Sequence, residues 1–296
     1  MRRCAFMTLE DAQGYVIDDD LAREPMHHLG WTVDAVPWRS APDWTSWEVV
    51  VLRSTWDYHR APAEFLGVLE GIRAAGILLL NPLELVRWNL TKDYLQELEE
   101  ERVPVVPTLW RNGLTPGGLA VLWEEVGAEA LVIKPQVGAS AAGLVVVDRG
   151  TEPHRIRALE EAYAHRPLMA QPLLASVSGE GEYSVVVFDE EVSHAVRKRP
   201  APGDQRAQEE HGATLEAVPV SDELARAAQQ ILEALTRRRG TRPLYARMDL
   251  ARGEDGRLLL MELELIEPSL YLRMDPAAPE RFARALDRRW RSTRGG

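Results

Sequence analysis

Three acids flank one turn in the stretch "LYARMDLARGEDGRLLLMELELI", residues 244–266: Asp249 before it, Glu262 and Glu264 after it. Asp255-Gly256 is a two-residue hairpin signal, because a type I′ turn needs positive φ at both central positions. Such a loop sets Asp249 opposite Glu262 and Arg247 opposite Glu264. Side chains alternate between the two faces of a strand. These four residues therefore share one face, and Met261, Leu263 and Leu265 take the other. A three-residue loop with a bulge is the arrangement that would spoil this register. Facing carboxylates with Cβ atoms roughly 5 Å apart repel. A divalent cation reverses the sign, and hard oxygen donors suit Mg2+. A solvated sheet face would also tolerate such acids, so the rest of the chain must decide. Glu267 has the opposite pleat parity beside Pro268, and a metal does not explain it.

A second group lies in "LVIKPQVGASAAG", residues 131–143. Lys134 ends an apolar strand, and a loop of small residues follows, with Gly138, Ala139 and Ser140 at its start. Small side chains let backbone N–H groups approach phosphate oxygens, and a lysine supplies a point charge. No G-K-[ST] pair follows and the next element reads as a strand, so this is not a Walker P-loop. A third group is "RSTWDYH", residues 53–59, directly after the apolar run "EVVVLRST". Ligands of open α/β sheets bind beyond the carboxyl ends of the strands. Arg53, Ser54, Thr55, Trp56, Asp57 and Tyr58 are therefore substrate-site candidates, although Trp56 and Tyr58 also suit packing and Asp57 a helix cap.

The elements that must position these groups alternate. Strands are predicted at 4–9, 32–38, 48–55 and 77–82, with helices at 18–30 and 61–76, a pattern that implies a parallel sheet flanked by helices. A helix at 91–101 precedes a unit with strands at 104–110, 130–135, 143–148 and 168–174 and helices at 117–127 and up to His165. The last unit has strands at 182–189 and 192–197, a polar stretch at 200–213, and a helix at 221–239 with Ser221 as N-cap. The carboxylate hairpin and a helix at 279–290 complete it.

Totals bound the function. The formal charge of −11 over 296 residues argues against a nucleic-acid binder or an anionic-membrane binder. Cys4 is the sole cysteine, which removes internal disulfides and cysteine zinc sites and favours a reducing cytoplasm. No stretch approaches the roughly 18 apolar residues of a membrane span.

In this order the features resemble the ATP-grasp superfamily, from about residue 80 to 270. Lys92 follows "NP…WN" in "LNPLELVRWNLTKDYL", and Lys134 precedes the small-residue loop. "MAQPLL", "GEYSVVVF", the basic "RKRPAPGDQRAQEEHG" and "YARMDL" with "LMELELIEP" complete the series. The basic segment looks like the glutathione-synthetase and RimK-like branch. "RSTWDYH" and "LMELELIEP" look closest to the cyclo-ligases that close O-ureidoserine to cycloserine and to their uncharacterised relatives.

The resemblance implies an ATP-grasp fold: an N-terminal parallel α/β domain (1–90), then a central lid subdomain (91–174) and a C-terminal subdomain (175–296), two α+β units clamping ATP. Carried over by position, Lys92 and Lys134 would hold phosphates, and Gly138, Ala139 and Ser140 would close over them. Gln171, Pro172, Leu173 and Leu174 would form the adenine linker. Glu182 would bind ribose, and Arg206 and Lys198 would act on the transferring phosphoryl group. Asp249, Glu262 and Glu264 would ligate Mg2+, as two ions, with Arg247 facing substrate. Many relatives have Asn where Glu264 stands, and Arg247 opposite would neutralise the added charge. The implied activity is ADP-forming carboxylate–amine ligation on small-molecule substrates, with neither nucleic acid nor membrane as partner and self-association left open. The rival reading is a regulatory protein that keeps the nucleotide site without turnover.

Overall fold

The computed structural model describes every residue except 139–142, 205, 208, 295 and 296. The first sheet is parallel, built from β1 (Arg2–Thr8), β2 (Trp31–Pro37), β3 (Val49–Ser54) and β4 (Leu78–Leu80) in the order β2-β1-β3-β4. Strand β3 is buried at every position, which is why it reads as an unbroken apolar run. The expected helix over 18–30 is shorter: a 3-10 turn at Asp19–Ala22 leads into α1 (Arg23–His28). Helix α2 (Pro62–Ala74) buries Phe65, Leu69 and Ile72 against Met7, Val50 and Leu52.

Helices α3 (Leu83–Asn89) and α4 (Tyr94–Glu100) lead into the second sheet. This sheet is antiparallel, with β5 (Leu109–Arg111), β6 (Ala130–Pro135), β7 (Val145–Asp148) and β8 (Leu168–Pro172) in the order β5-β8-β6-β7. Helices α5 (Gly118–Val126) and α6 (Pro153–Ala162) supply Leu119, Leu122, Trp123 and Leu159 to the core under Leu131 and Ile133.

The third sheet is also antiparallel: β9 (Glu182–Phe188), β10 (Glu191–Arg199), β11 (Thr214–Val218), β12 (Tyr245–Arg252) and β13 (Leu258–Glu264), ordered β11-β10-β9-β12-β13. The short helix α7 (Ala175–Gly179) precedes it. Helix α8 (Asp222–Arg239) packs Leu224, Ala228, Ile231 and Leu235 against Val185, Val187 and Met248. Its first turn is capped as expected, Ser221 Oγ accepting from the Leu224 N–H at 3.2 Å. Helix α9 (Ala278–Arg294) turns back to the first sheet, where Phe282, Ala283 and Leu286 pack on Phe6, Trp31 and Val49.

One strand expectation is corrected, and one strand goes beyond the expected elements. "PVVPTLW" is not one strand: the backbone at 104–106 bonds β13, while Leu109–Arg111 joins the second sheet, with Pro107 between them. Strand β11 carries no apolar run, its residues being half or fully exposed at the sheet edge, so periodicity gave no signal for it.

Candidate active site

The carboxylate hairpin has the expected register at its far end, Asp249 opposite Glu262 and Arg247 opposite Glu264, but reaches it by another route. The strands do not close on a two-residue loop. The Gly253 N–H donates to the Arg257 carbonyl at 2.8 Å, leaving Glu254, Asp255 and Gly256 as the turn. That extra residue shifts the pairing by one, and a bulge opposite Asp249 and Leu250 shifts it back. A Cβ at position 253 would meet the Leu259 side chain at 2.8 Å, so a larger residue there would require Leu259 to shift. The bulge also corrects one side-chain assignment. Met261 lines the cleft, while Leu263 and Leu265 stay in the core.

Strand β13 is an edge strand, whose outer N–H and C=O groups would otherwise lack partners. Buried side chains supply them. Asn89 Nδ2 donates to the Leu263 carbonyl at 2.8 Å, and its Oδ1 accepts from the Leu265 N–H at 2.8 Å. The Tyr94 hydroxyl accepts from the Leu263 N–H at 3.0 Å. Asn81 Nδ2 donates to the Leu265 carbonyl at 2.7 Å and to the Tyr245 carbonyl at 2.9 Å. Leu260 pairs with the backbone of Pro104 and Val106. Alternation then turns Glu262 and Glu264 away from this clamp and toward the cleft. Asn81, Asn89 and Tyr94 were given no role from sequence. Their signal was polar side chains inside otherwise apolar helix and strand ends.

A solvent-open cleft collects Lys92, Lys134, Gly138, Glu182, Arg206, Arg247, Asp249, Glu262 and Glu264. Its charges are paired in a chain. Lys92 ion-pairs with Glu262 and reaches the Gly138 carbonyl at 3.3 Å. Arg247 donates to both Asp249 oxygens, at 3.0 and 2.9 Å, and pairs with Glu264. Lys198, buried behind them, pairs with Glu182 and lies 3.3 Å from Asp249 Oδ1. Lys134 has no ion pair among the described residues.

These partners set the protonation states. Burial raises the Asp249 carboxyl, but Arg247 and Lys198 outweigh it and hold the group well below the usual range. Burial likewise opposes the Lys198 charge, and Asp249 and Glu182 override it, raising the group. Glu264 is pushed up to about 7 by burial, with Arg247 pulling the other way and Asp249 and Glu262 adding to the rise. Glu262 is lowered, since Lys92 and Lys134 outweigh its burial. Burial lowers Lys134, and Glu262 restores only part of that.

The N-terminal candidates divide. Trp56 and Tyr58 line the cleft. Arg53, Ser54, Thr55 and Asp57 do not. Arg53 is buried and donates to Asp19 Oδ1 at 2.9 Å and the Pro268 carbonyl at 3.2 Å. Ser54 bonds Thr8 at 2.9 Å, and Asp57 accepts from Trp38 Nε1 at 2.8 Å and pairs with Arg39. Thr55 is fully buried. Arg206 reaches the cleft from a segment where it is forked onto Asp204, at 3.0 and 2.8 Å. Gln171, Pro172, Leu173 and Leu174 are not on the cleft lining, and Gln171 is buried with Nε2 2.9 Å from Thr108 Oγ1. Ala139 and Ser140 lie outside the described residues.

Among the described residues, no group of three or more His, Cys, Asp or Glu stands as a ready-made metal centre. The reason is the pairing just given: each carboxylate is turned to a protein cation. The donor set nevertheless fits Mg2+, with carboxylate oxygens from two adjacent strands on one face of a cleft. No helix among the described residues is long and apolar enough to cross a membrane.

Comparisons with known proteins agree with this geometry. The model of the N-terminal domain of D-cycloserine synthetase matches residues 4–81, and that of the ATP-grasp domain of prokaryotic glutathione synthetase matches residues 117–250. The chain is 31% identical over 294 residues to the cycloserine biosynthesis protein DcsG of Streptomyces lavendulae, covering 94% of this chain and 96% of that protein. The crystal structure of D-cycloserine synthetase DcsG aligns with a TM-score of 0.83 at 30% identity, over 97% of this chain and 99% of that one. The ATP-grasp ligase PsnB, solved with a minimal precursor, Mg and ADP, shares the fold at a TM-score of 0.65 and 19% identity, over 97% and 98% of the two chains. The D-alanine–D-alanine ligase of Bacillus anthracis does so at 0.65 and 16%, over 97% and 95%. The chain belongs to the DcsG family of the ATP-grasp superfamily and is an ATP-dependent carboxylate–amine ligase.

Proposed function

We propose that the cleft activates the carboxylate of a small amino-acid-like substrate as an acyl-phosphate, from which an amine displaces phosphate. The observation that carries this reading is the cleft's composition: Lys92 and Lys134 stand together with Asp249, Glu262 and Glu264. A carboxylate is a poor electrophile, and phosphorylation supplies the leaving group. Such a transfer needs positioning and charge stabilisation more than a protein nucleophile.

On this reading Lys92 and Lys134 hold phosphate oxygens, with Gly138, Ala139 and Ser140 closing over them. Arg206 faces the transferring phosphoryl group. Lys198, buried between Glu182 and Asp249, serves as their counter-ion and orients both. Mg2+, when bound, supplies Lewis-acid stabilisation of phosphoryl charge, and Asp249, Glu262 and Glu264 would hold it, as two ions. Glu182 meets ribose, and Gln171, Pro172, Leu173 and Leu174 border adenine. Trp56 and Tyr58 wall the substrate end. The working units are 1–90, 91–174 and 175–296. Tyr94, Leu95 and Leu98 pack in the core of the third sheet, which favours moving with the last unit for that stretch. The compartment we assign is the cytoplasm, on the family and the single cysteine.

Kinship with a cycloserine biosynthesis protein favours an O-ureidoserine-like substrate and ring closure over intermolecular amide formation. ADP release over a panel of amino acids and dipeptides, with hydroxylamine trapping the acyl-phosphate, tests the reading. A hydroxamate is expected with at least one carboxylate. Tight ATP binding with no hydroxamate from any of them would favour a regulator. Glu262→Gln should abolish turnover in a folded protein, and near-wild-type activity would remove the metal assignment.

A further inference from the structure

The cleft contains one buried carboxylate that the proposed phosphoryl chemistry does not use. Glu267 lines the cleft and is 8% exposed. Its carboxylate makes no hydrogen bond or ion pair among the described residues. The other buried or half-buried acids of the cleft all have cations: Lys92 for Glu262, Arg247 for Asp249 and Glu264, Lys198 for Glu182, and Arg273 for Glu209.

The position is held from behind by side chains bonded to three successive carbonyls. The Tyr245 hydroxyl donates to Ile266 at 2.9 Å, Trp56 Nε1 to Glu267 at 2.8 Å, and Arg53 to Pro268 at 3.2 Å. Pro268 further restricts the backbone of the preceding residue. The loop is thus built to present one acid at a set place, beside the aromatic wall of Trp56 and Tyr58. This also accounts for Arg53, which anchors the loop without reaching the cleft.

A buried carboxylate with no partner is unfavourable unless something that binds there neutralises it. Burial, with Glu264 adding to it, pushes the Glu267 carboxyl well above its ordinary value in the ligand-free protein. A cation arriving in the cleft would reverse that preference. Lys134 is the complementary case, a cation without an anion. On the ligase reading a nucleotide phosphate supplies the anion for Lys134, so the cation for Glu267 falls to the other ligand.

We propose that Glu267 binds the ammonium group of an amino-acid substrate whose carboxylate is the one activated, and so selects amino acids over deaminated acids. The assignment rests on the ligase reading above and deepens it. Glu267 takes no part in phosphoryl transfer and acts as a specificity determinant.

The test measures binding apart from turnover. Wild type and Glu267→Gln, each with MgADP, are titrated calorimetrically with O-ureidoserine and with the same compound lacking its α-amino group. Wild type should prefer the amino compound by roughly 10- to 100-fold, the range of a hydrogen bond to a charged group. In Glu267→Gln that preference should vanish while MgADP affinity stays unchanged and the melting temperature does not fall. An intact preference in the variant overturns the proposal, as does wild-type binding that ignores the amino group, or binding of neither compound. A parallel loss of MgADP affinity would assign Glu267 a structural role and overturn it too. Failure of the ligase reading itself shows separately, as absence of ADP and hydroxamate in the turnover assay with wild type.

Discussion

Asn89 accepts the Leu265 N–H at 2.8 Å, joining residues 176 positions apart. With its bond to the Leu263 carbonyl, this side chain takes the place of a neighbouring strand along the outer edge of β13. Glu262 and Glu264 face the cleft because Leu263 and Leu265 are fixed this way. Asn89→Ala leaves a buried carbonyl and a buried N–H without partners. The expected loss is about 2–4 kcal/mol of unfolding free energy, each orphaned group costing on the order of 1–3. Urea unfolding checks it, and a loss under about 0.5 kcal/mol would place Asn89 among ordinary surface positions.

Lys198→Met should also destabilise strongly. It strands Glu182 and Asp249 in a buried pair with only Arg247 left nearby. Removing one partner of a buried ion pair typically costs about 3–5 kcal/mol. Chemical denaturation measures this, and restoring the charge with Arg should recover only part, because the site is shaped for an ammonium group. A stable Lys198→Met protein would show that the pair is not desolvated in solution.

Lys134→Met should do the opposite. The charged form of Lys134 is disfavoured in the fold, burial being the main cause. A lysine lowered in this way costs stability below its folded value, and the cost fades as pH rises toward the ordinary 10.5. At neutral pH the variant should therefore melt at or above wild type, and the two should converge in alkali. Its KM for ATP should rise roughly 10- to 100-fold with loss of a charge-assisted contact. Lower stability with normal ATP affinity would make Lys134 structural.

Glu264 sets a pH dependence in the metal-free protein. Its folded value near 7 lies above the ordinary 4.5. The native state then binds more protons than the unfolded chain between these values, so stability falls as pH rises through that window. Glu264→Gln, which cannot ionise, should lose less between pH 5 and 8 in EDTA. Parallel melting curves for the two proteins across that range would contradict the assignment.

The sequence made the strand–helix alternation, the helix over 221–239 and the facing of Asp249 with Glu262 legible, since these follow from local periodicity and parity. It located the hairpin turn wrongly. The bulge at Met261 lies beside Leu260, which bonds Pro104 and Val106 far away in the chain, and the added turn residue offsets it. The role of "RSTWDYH" was half legible. Strand order says that these residues lie at the carboxyl end of β3, but only tertiary packing decides that Trp56 and Tyr58 reach the cleft while Arg53 turns to Asp19 and Pro268. Lys198 reads as a basic residue in a basic run. That it is enclosed between two acids requires β9, β10 and β12 side by side.

Helix α9 has a consequence for biosynthesis. It covers one face of the first sheet, so Phe6, Trp31 and Val49 lack this part of their packing until residues 278–294 have been made. The strands that leave the ribosome first are thus among the last to be enclosed, and contacts with α9 span most of the sequence. Such long closures fold slowly. A ribosome-bound chain ending before Ala278 should leave Trp31 open to quenching by acrylamide, and the addition of α9 should protect it.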